Sequence, residues 1–573
     1  MLTNGDHLDA RDNQPLSRGA YIAVHNGIIV NEQALWSAHP DLTRRARVDT
    51  EVFVALLDEY IRQGRSHQEA MALVFREIIG ATTIAYASVG DGRVGLGTNN
   101  GSLYWVTDKQ NAALAFSSEQ RILTQAIKQS ALQHVGFGDV QPVLPGETLF
   151  WDWNERRLTP GKAPPHLRAE PVPVIDIPSE SRAESLVGAF QSTNAGTAAF
   201  EEKLLAIPAE AIAALRRCTR CILPETFPQI VFDAEGVCNY CREYKPLTYA
   251  GEEALKDSVR HRRPAQTPDA IVGLSGGRDS CYALHYAVRV LGLRPIAYTY
   301  DWGMITDLAR RNISRLCGAL GIEHVIVAAN IGTKRANIRK NLLAWLKRPS
   351  LGTVPLLMAG DKAYFYHANR LMAQYRTPLF IMGENRLERT HFKHGFCGVR
   401  HRDSLRTAYD FGWTSNAVLV GFYLKEFLAN PAFLNSSLLD TAWGYMSYYL
   451  LPHDYLYIYN YVTWNEGTIV RTLQSEYQWE TDPETTSTWR IGDGTAAFYN
   501  YIYLRLAGFS EHDTFLSNQI REGLLSRTQA LAQLQVSNQP RARAIREYLG
   551  VLRLDLAPVI TAINNIPTLY SRR

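Results

Sequence analysis

The stretch Ala270-Ile271-Val272-Gly273-Leu274-Ser275-Gly276-Gly277-Arg278-Asp279-Ser280 decides how this chain folds. Its first five residues read as a buried strand, and residues 280–291 read as a helix. A glycine pair at that junction aims backbone N–H groups, and the positive end of the helix dipole, at the carboxyl end of the strand, where they attract a phosphate. Gly276 and Gly277 let the backbone approach closely. No Gly-Lys-Ser/Thr follows, so this is not the Walker pattern, and the third glycine of the dinucleotide pattern is missing. A turn that merely joins strand to helix is the plainer reading. The Ser-Gly-Gly-x-Asp-Ser string in a βα setting favours a nucleotide site instead.

Working outward, residues 295–300 read as a strand, 307–320 as a helix and 324–328 as another strand, and this alternation implies a parallel sheet. We place its domain at 251–400. Residues 401–573 read as helical and aromatic, with tyrosines crowded into 445–461 and an amphipathic helix at 526–534. Those tyrosines are more simply core than a sugar-stacking surface.

On the other side, Cys218-x-x-Cys221 and Cys238-x-x-Cys241 are two knuckles sixteen residues apart, a spacing that closes a tetrahedral Zn²⁺ site with no open position. A structural ribbon at 206–250 is expected, with a redox or sulfur-transfer role as the sharper alternative. Cys281, Cys317 and Cys397 have no mutual spacing and are expected to be packing residues. Residues 156–205 read as a linker, rich in proline, serine and charge over 159–197. Residues 1–155 form a β-rich or layered α+β domain, with strand-like runs such as 82–87 and turns at Asn99-Asn100-Gly101 and Leu144-Pro145-Gly146.

A chain of 573 residues with 46% hydrophobic content needs several cores. Its net charge of +4, from 60 basic and 56 acidic residues, gives no reason to invoke nucleic acid. Residues 1–6 lack a signal-peptide start, and the apolar run at 417–428 is broken by Lys425 and Glu426. A cytoplasmic protein with no membrane insertion is expected.

The loop at 275–280 resembles the PP-loop of the N-type ATP pyrophosphatases. That resemblance implies ATP cleaved to AMP and pyrophosphate, with Ser275, Gly276, Gly277 and Ser280 cradling the pyrophosphate and Asp279 helping to hold Mg²⁺. The run Cys218-Thr219-Arg220-Cys221-Ile222-Leu223-Pro224-Glu225-Thr226-Phe227-Pro228, and then Phe232-Asp233-Ala234-Glu235-Gly236-Val237-Cys238-Asn239-Tyr240-Cys241, closely resembles the start of the N-acetyl sugar amidotransferases. The likeness continues through Tyr300-Asp301-Trp302-Gly303, Gly352-Thr353-Val354-Pro355, Gly383-Glu384-Asn385-Arg386-Leu387-Glu388 and Arg490-Ile491-Gly492-Asp493-Gly494. It implies conversion of an acetamido group on a sugar or nucleotide-linked sugar, of the kind used in surface glycans, into an acetamidino group. Asp301 is expected beside the cofactor. Glu384, Asn385 and Glu388, near predicted strand ends, are expected to orient acceptor, ammonia or metal, with solvated loop polars as the plainer alternative.

His25-Asn26-Gly27-Ile28-Ile29-Val30-Asn31, Val48-Asp49-Thr50-Glu51 and Phe116-Ser117-Ser118-Glu119 resemble the N-terminal-nucleophile glutaminase domain of asparagine synthetase. By that resemblance Asn26 and Gly27 supply oxyanion donors and Asp49 holds the α-amino group of glutamine. The family's nucleophilic cysteine follows the initiator methionine, whereas position 2 here is Leu2 and no cysteine precedes Cys218. The nitrogen is therefore expected from free ammonia, from a partner glutaminase, or from glutamine where an upstream segment brings the nucleophile. The fold class expected is multidomain α+β and α/β: an incomplete αββα glutaminase-like domain, a zinc ribbon, a parallel-sheet HUP-like ATP pyrophosphatase domain and a helical C-terminal region. Two other readings are a tRNA thiolase, which the near-neutral charge disfavours, and an asparagine-synthetase-like ligase acting on a non-sugar acceptor.

Overall fold

The structure, a computed structural model, describes residues 12–163, 195–389, 392–399 and 413–571. Position 2 and most of the expected linker lie outside these residues.

The front region is built on strand alternation. In β2 (Tyr21–Gly27) burial alternates residue by residue until the last position, which makes it a half-buried antiparallel strand. It pairs on one side with β1 (Leu16–Arg18) and on the other with β3 (Thr82–Ser88), followed by β4 (Arg93–Thr98), β8 (Glu147–Asp152) and β9 (Arg157–Lys162). The helices Thr50–Arg62 and His67–Glu77 cover one face through Val52, Phe53, Leu56, Met71 and Val74. The second helix starts in a capping box between Ser66 and Glu69. Against the other face, across Leu96, Leu103 and Leu149, lies a three-stranded sheet of β5 (Tyr104–Thr107), β6 (Leu114–Ser117) and β7 (Gln141–Pro142). The helix Gln120–Ile127 contacts β5 and β6. Strand β9 runs into the stretch expected to be linker, because Arg157–Lys162 completes a hairpin whose N–H and C=O groups pair with β8.

The second sheet is wholly parallel, in the order β12-β11-β10-β13-β14, with β10 (Ile271–Gly273), β11 (Ile296–Asp301), β12 (His324–Ala328), β13 (Phe380–Met382) and β14 (Leu456–Tyr457). All six residues of β11 are buried, as a strand covered on both faces requires. Ile271, Tyr298 and Phe380 face one core, and Val272, Ala297 and Ile381 face the other. The helix Asp307–Leu320 spans the residues the sequence predicts. Thr306 caps its start through the Ala309 N–H, Gly321 at φ +63° ends it, and Ala309, Ile313, Leu316 and Cys317 form its buried stripe.

The C-terminal region is largely helical, as expected, but it also contributes β14. Alternating Leu456-Tyr457 pairs with β13, so the tyrosine-rich stretch is divided among a helix (Ser437–Tyr449), that strand and a 3-10 turn (Ile458–Asn460). The amphipathic segment expected at 526–534 is the helix Arg527–Ser537, boxed by Ser526 and Gln529. Among the described residues no helix is long and apolar enough to cross a membrane.

Candidate active site

The chain runs outward from β10 to β11 and β12, then returns to place β13 on the other side of β10. Strand direction of travel therefore reverses between β10 and β13, and the crevice beyond their carboxyl ends is where an open parallel sheet takes its ligand. The loop Ser275 to Ser280 occupies that crevice. Gly276 sits at φ +79°, and a Cβ there would lie 2.5 Å from the carbonyl oxygen of Ala309. Gly383, just after β13, is equally constrained: its Cβ would lie 2.4 Å from the Asp279 carbonyl. Glycine is needed at Gly383 for the helix Arg278–His285 to seat on the sheet, and at Gly276 for the loop to pack on the helix Asp307–Leu320.

Within the loop, the Ser275 and Ser280 hydroxyls are 3.0 Å apart, and Ser280 Oγ accepts the Ser275 N–H at 3.1 Å. Ser275, Gly277, Asp279 and Ser280 line a cavity of about 900 Å³. Gly276 shapes the loop behind them. Arg278, the unspecified residue of the motif, is buried. Its Nη1 donates to Glu466 (2.6 Å) and Thr488 (2.7 Å), and its Nη2 donates to Glu388 (2.9 Å). Its guanidinium also lies 5.0 Å from the Trp464 ring, whose Nε1–H donates to Asp279 Oδ1 at 2.8 Å. Burial, together with the neighbouring Asp279 carboxylate, pushes the Glu388 carboxyl well above its ordinary range. Two acids pressed together beside a phosphate-type loop make a set that suits a divalent cation.

Across the cavity stand Lys393 and Arg490. Both pair with Glu511, the arginine at 3.1 Å, and Tyr499 donates to the same carboxylate at 2.8 Å. Burial pushes the Lys393 ammonium down, against the pull of Glu511, and pushes the adjacent His394 down to about 4. Arg490 also pairs with Asp493 at 3.8 Å, so Lys393 and Arg490 face the loop from a mixed-charge cluster with Glu511 and Asp493. Sequence reasoning missed Arg278, Lys393, Glu466 and Glu511, and it quoted Arg490 without a role. The partnership is formed only by the fold.

Of the other expected site residues, Glu384 and Glu388 line the cavity, whereas Asp301 and Asn385 do not. Asp301 is buried, accepts from Arg310 Nη2 at 2.6 Å and from the Gly303 N–H at 2.9 Å, and so holds the turn after β11. Asn385 is buried and caps the Leu387 N–H at 2.9 Å.

In the front region Asn26 is exposed near the end of β2, and Gly27 adopts φ +144° with the Ala81 carbonyl only 2.0 Å from where a Cβ would stand. Asp49 is 0% exposed. It accepts the Ile29 N–H at 2.8 Å and lies 3.7 Å from His25 Nδ1, so it anchors the turn that follows Asn26-Gly27. The four cysteines are buried with their sulfurs within 4.8 Å of one another. The Cys221 and Cys238 N–H groups point at Cys218 Sγ at 3.4 and 3.2 Å, the donor pattern of a thiolate knuckle, so this set fits a tetrahedral metal. Cys281, Cys317 and Cys397 are buried packing residues, as expected.

Residues 5–125 match the family model of a glutamine amidotransferase domain. The match likens the front of the chain to a glutamine amidotransferase domain. Among solved structures the chain is similar to the glutamine phosphoribosylpyrophosphate amidotransferase from B. subtilis complexed with ADP and GMP, at 18% identity over 27% of this chain and 33% of that one, with a TM-score of 0.22. It is also similar to a structure described as the allosteric regulatory enzyme of purine biosynthesis, at 20% identity over 26% of this chain and 31% of that one, with a TM-score of 0.21. The chain thus spans about a third of the length of either. No curated protein matches it.

Proposed function

We propose that the chain is an ATP-dependent amidotransferase that activates an amide or carboxyl oxygen of its acceptor as an adenylate and replaces it with nitrogen. The observation that carries this reading is the cavity at the sheet's switch point. There a glycine loop with two hydroxyls, the Asp279–Glu388 acids and the Lys393–Arg490 cations face one another. ATP binds with its phosphates over residues 275–280 at the helix N-terminus. The acceptor oxygen attacks the α-phosphorus and expels pyrophosphate. Ammonia then attacks the activated carbon, AMP departs with that oxygen, and a proton is lost. Lys393 and Arg490 stabilise charge developing on phosphate. Asp279 and Glu388 would hold Mg²⁺, which would neutralise part of the triphosphate charge.

The acceptor is an N-acetyl sugar, free or nucleotide-linked, a reading supported by the motifs at 218–241, 383–388 and 490–494. Zn²⁺ in the cysteine cluster is structural, since four sulfurs leave no open position. The front domain supplies ammonia where its nucleophile is present, and free ammonium serves otherwise. The thiolase alternative needs a reactive cysteine at the loop. Cys281 follows Ser280, but burial pushes its thiol up to about 12.

The test is AMP and pyrophosphate release from ATP and Mg²⁺ with an N-acetyl sugar, with and without ammonium. AMP release that depends on ammonium and acceptor is expected, and Gly276→Ala, which drives a Cβ into the Ala309 carbonyl, is expected to reduce it by about two orders of magnitude. ADP as product, or AMP release indifferent to ammonium, sinks the reading.

A further inference from the structure

The cavity has two unlike ends. Beside the loop it is lined by Arg278, Asp279, Glu388, Lys393 and Arg490, all charged. Its far wall is formed by the helices Trp413–Ala429 and Ser437–Tyr449, and every side chain that lines it from those helices is uncharged, including Val420, Leu424, Phe427, Leu438, Met446 and Tyr448, with a charged edge where Lys362 Nζ lies 4.6 Å from the Tyr448 ring and Asp361 stands beside it. The charged residues of these helices are directed elsewhere. Glu426 pairs with Arg348 at 2.7 Å, Asp440 pairs with Lys334, and Lys425 is exposed outside the cavity.

The apolar wall is also open to solvent. Val420 is 51% exposed, Leu424 59% and Met446 48%, although all three line the cavity. Leu428, Leu439 and Leu450 continue the exposed apolar surface of the two helices. Single exposed apolar side chains need no account, but a run of them on adjacent helices, continuous with a cavity, marks a surface kept for an apolar ligand. Adenine is a poor occupant, because its ring nitrogens and amine need polar partners. Away from the edge held by Asp361, Lys362 and Thr441 the wall offers few: the Tyr423 hydroxyl is directed at the Gly352 carbonyl at 3.4 Å, and the Tyr445 hydroxyl donates to Asn416 Oδ1 at 3.2 Å.

We infer that the acceptor is amphipathic, with its reacting amide or carboxyl group at the loop and a hydrocarbon substituent lying along the wall formed by Val420, Leu424, Phe427, Leu438 and Met446. The inference rests on the reading of the loop as the place where the acceptor is activated, and it narrows the N-acetyl sugar proposed above to one that also bears an alkyl or similar apolar substituent.

The experiment uses the full chain and a ladder of unbranched amides from butanamide to decanamide, each displacing a dansyl-labelled fatty acid, with and without ATP and Mg²⁺. Affinity is expected to rise about fourfold per added methylene. ATP is expected to leave the probe in place. Leu424→Asn and Met446→Gln, at half-exposed positions where folding is little at risk, are expected to flatten the ladder, with decanamide losing about tenfold and butanamide little. An affinity indifferent to chain length, or displacement of the probe by ATP, overturns the inference, the latter by giving the wall to the nucleotide. A ladder retained by a chain that releases no AMP upholds the apolar wall and faults the proposed reaction instead.

Discussion

Glu511 is 0% exposed, pairs with Lys393 and Arg490 and accepts from Tyr499. Burial alone would raise its carboxyl, but the two cations reverse that and hold it at about 2. Because the folded value is depressed, the stabilisation is present above the unfolded glutamate value of about 4.3 and is lost as pH falls toward about 2. Glu511→Gln is therefore expected to destabilise the chain by about 3 kcal/mol near neutrality, since it leaves the buried Lys393 without its counter-charge and removes one of the two carboxylates that pair with Arg490. In urea unfolding the gap from the parent chain should narrow below about pH 4 and close near the acid limit. A gap constant across that window would mean that packing, and not the charge, is what the glutamate provides. At this scale the placing of the loop between strand and helix, and at the cavity, was legible, because Ser275, Gly277, Asp279 and Ser280 are neighbours in sequence. The cluster of Lys393, Glu466, Arg490 and Glu511 was not, since each meets its partner from a place far away in the chain. Asp301 and Asn385 stand outside the cavity lining for a related reason: a polar residue at a strand end serves either a ligand or its own turn, and here Arg310 and the Leu387 N–H engage them.

Among elements, the cysteine knuckles are tied to the rest of the chain more closely than a ribbon at a domain boundary need be. Cys218, Cys221, Cys238 and Cys241 belong to the same buried cluster as Tyr298 and Phe380 of the parallel sheet. Arg527 Nε donates to the Cys218 and Cys221 carbonyls at 3.2 and 3.0 Å, and Arg521 Nη2 lies 3.9 Å from Cys221 Sγ. Elemental analysis is expected to find about one zinc per chain. Removal by a chelator, or Cys238→Ser, is expected to lower Tm by about 5–10 °C, because a core is loosened rather than a tail released. Absence of metal in a protein whose thiols remain reduced would refute the assignment. Helices and strands with a strong local period were legible, and the helix Asp307–Leu320 was read with both ends in place. Strand β14 was not, because two residues carry no period, and their strand character comes from pairing with β13. The wall of helices beside the cavity was equally hidden, since an apolar face that lines a cavity has the same sequence pattern as one that packs a core.

Over the whole molecule, one helix touches both functional regions. Near its start, Ala309 packs against Gly276 of the loop. Further along, Ser314 Oγ accepts the Ala81 N–H at 2.7 Å and donates to the Ile28 carbonyl at 2.8 Å, directly after Asn26-Gly27. At Gly318 the two regions meet so closely that a Cβ would lie 2.6 Å from the Gly80 carbonyl oxygen, a backbone atom with little room to move. Gly318→Val is therefore expected to part the glutamine amidotransferase region from the parallel-sheet region without emptying either core. Front-region packing through Val52, Phe53 and Met71 and sheet packing through Tyr298 and Phe380 do not involve this position. Calorimetry should show the parent chain melting with its regions coupled and the variant with two separated transitions, the lower displaced by about 5 °C or more. Ammonium-driven AMP release should survive in the variant at close to the parent rate, because Ala309 and the loop lie on the other end of the helix. A single transition with AMP release lost would show instead that the contact at Gly318 holds the loop itself in shape, and that the helix transmits strain from one region to the other.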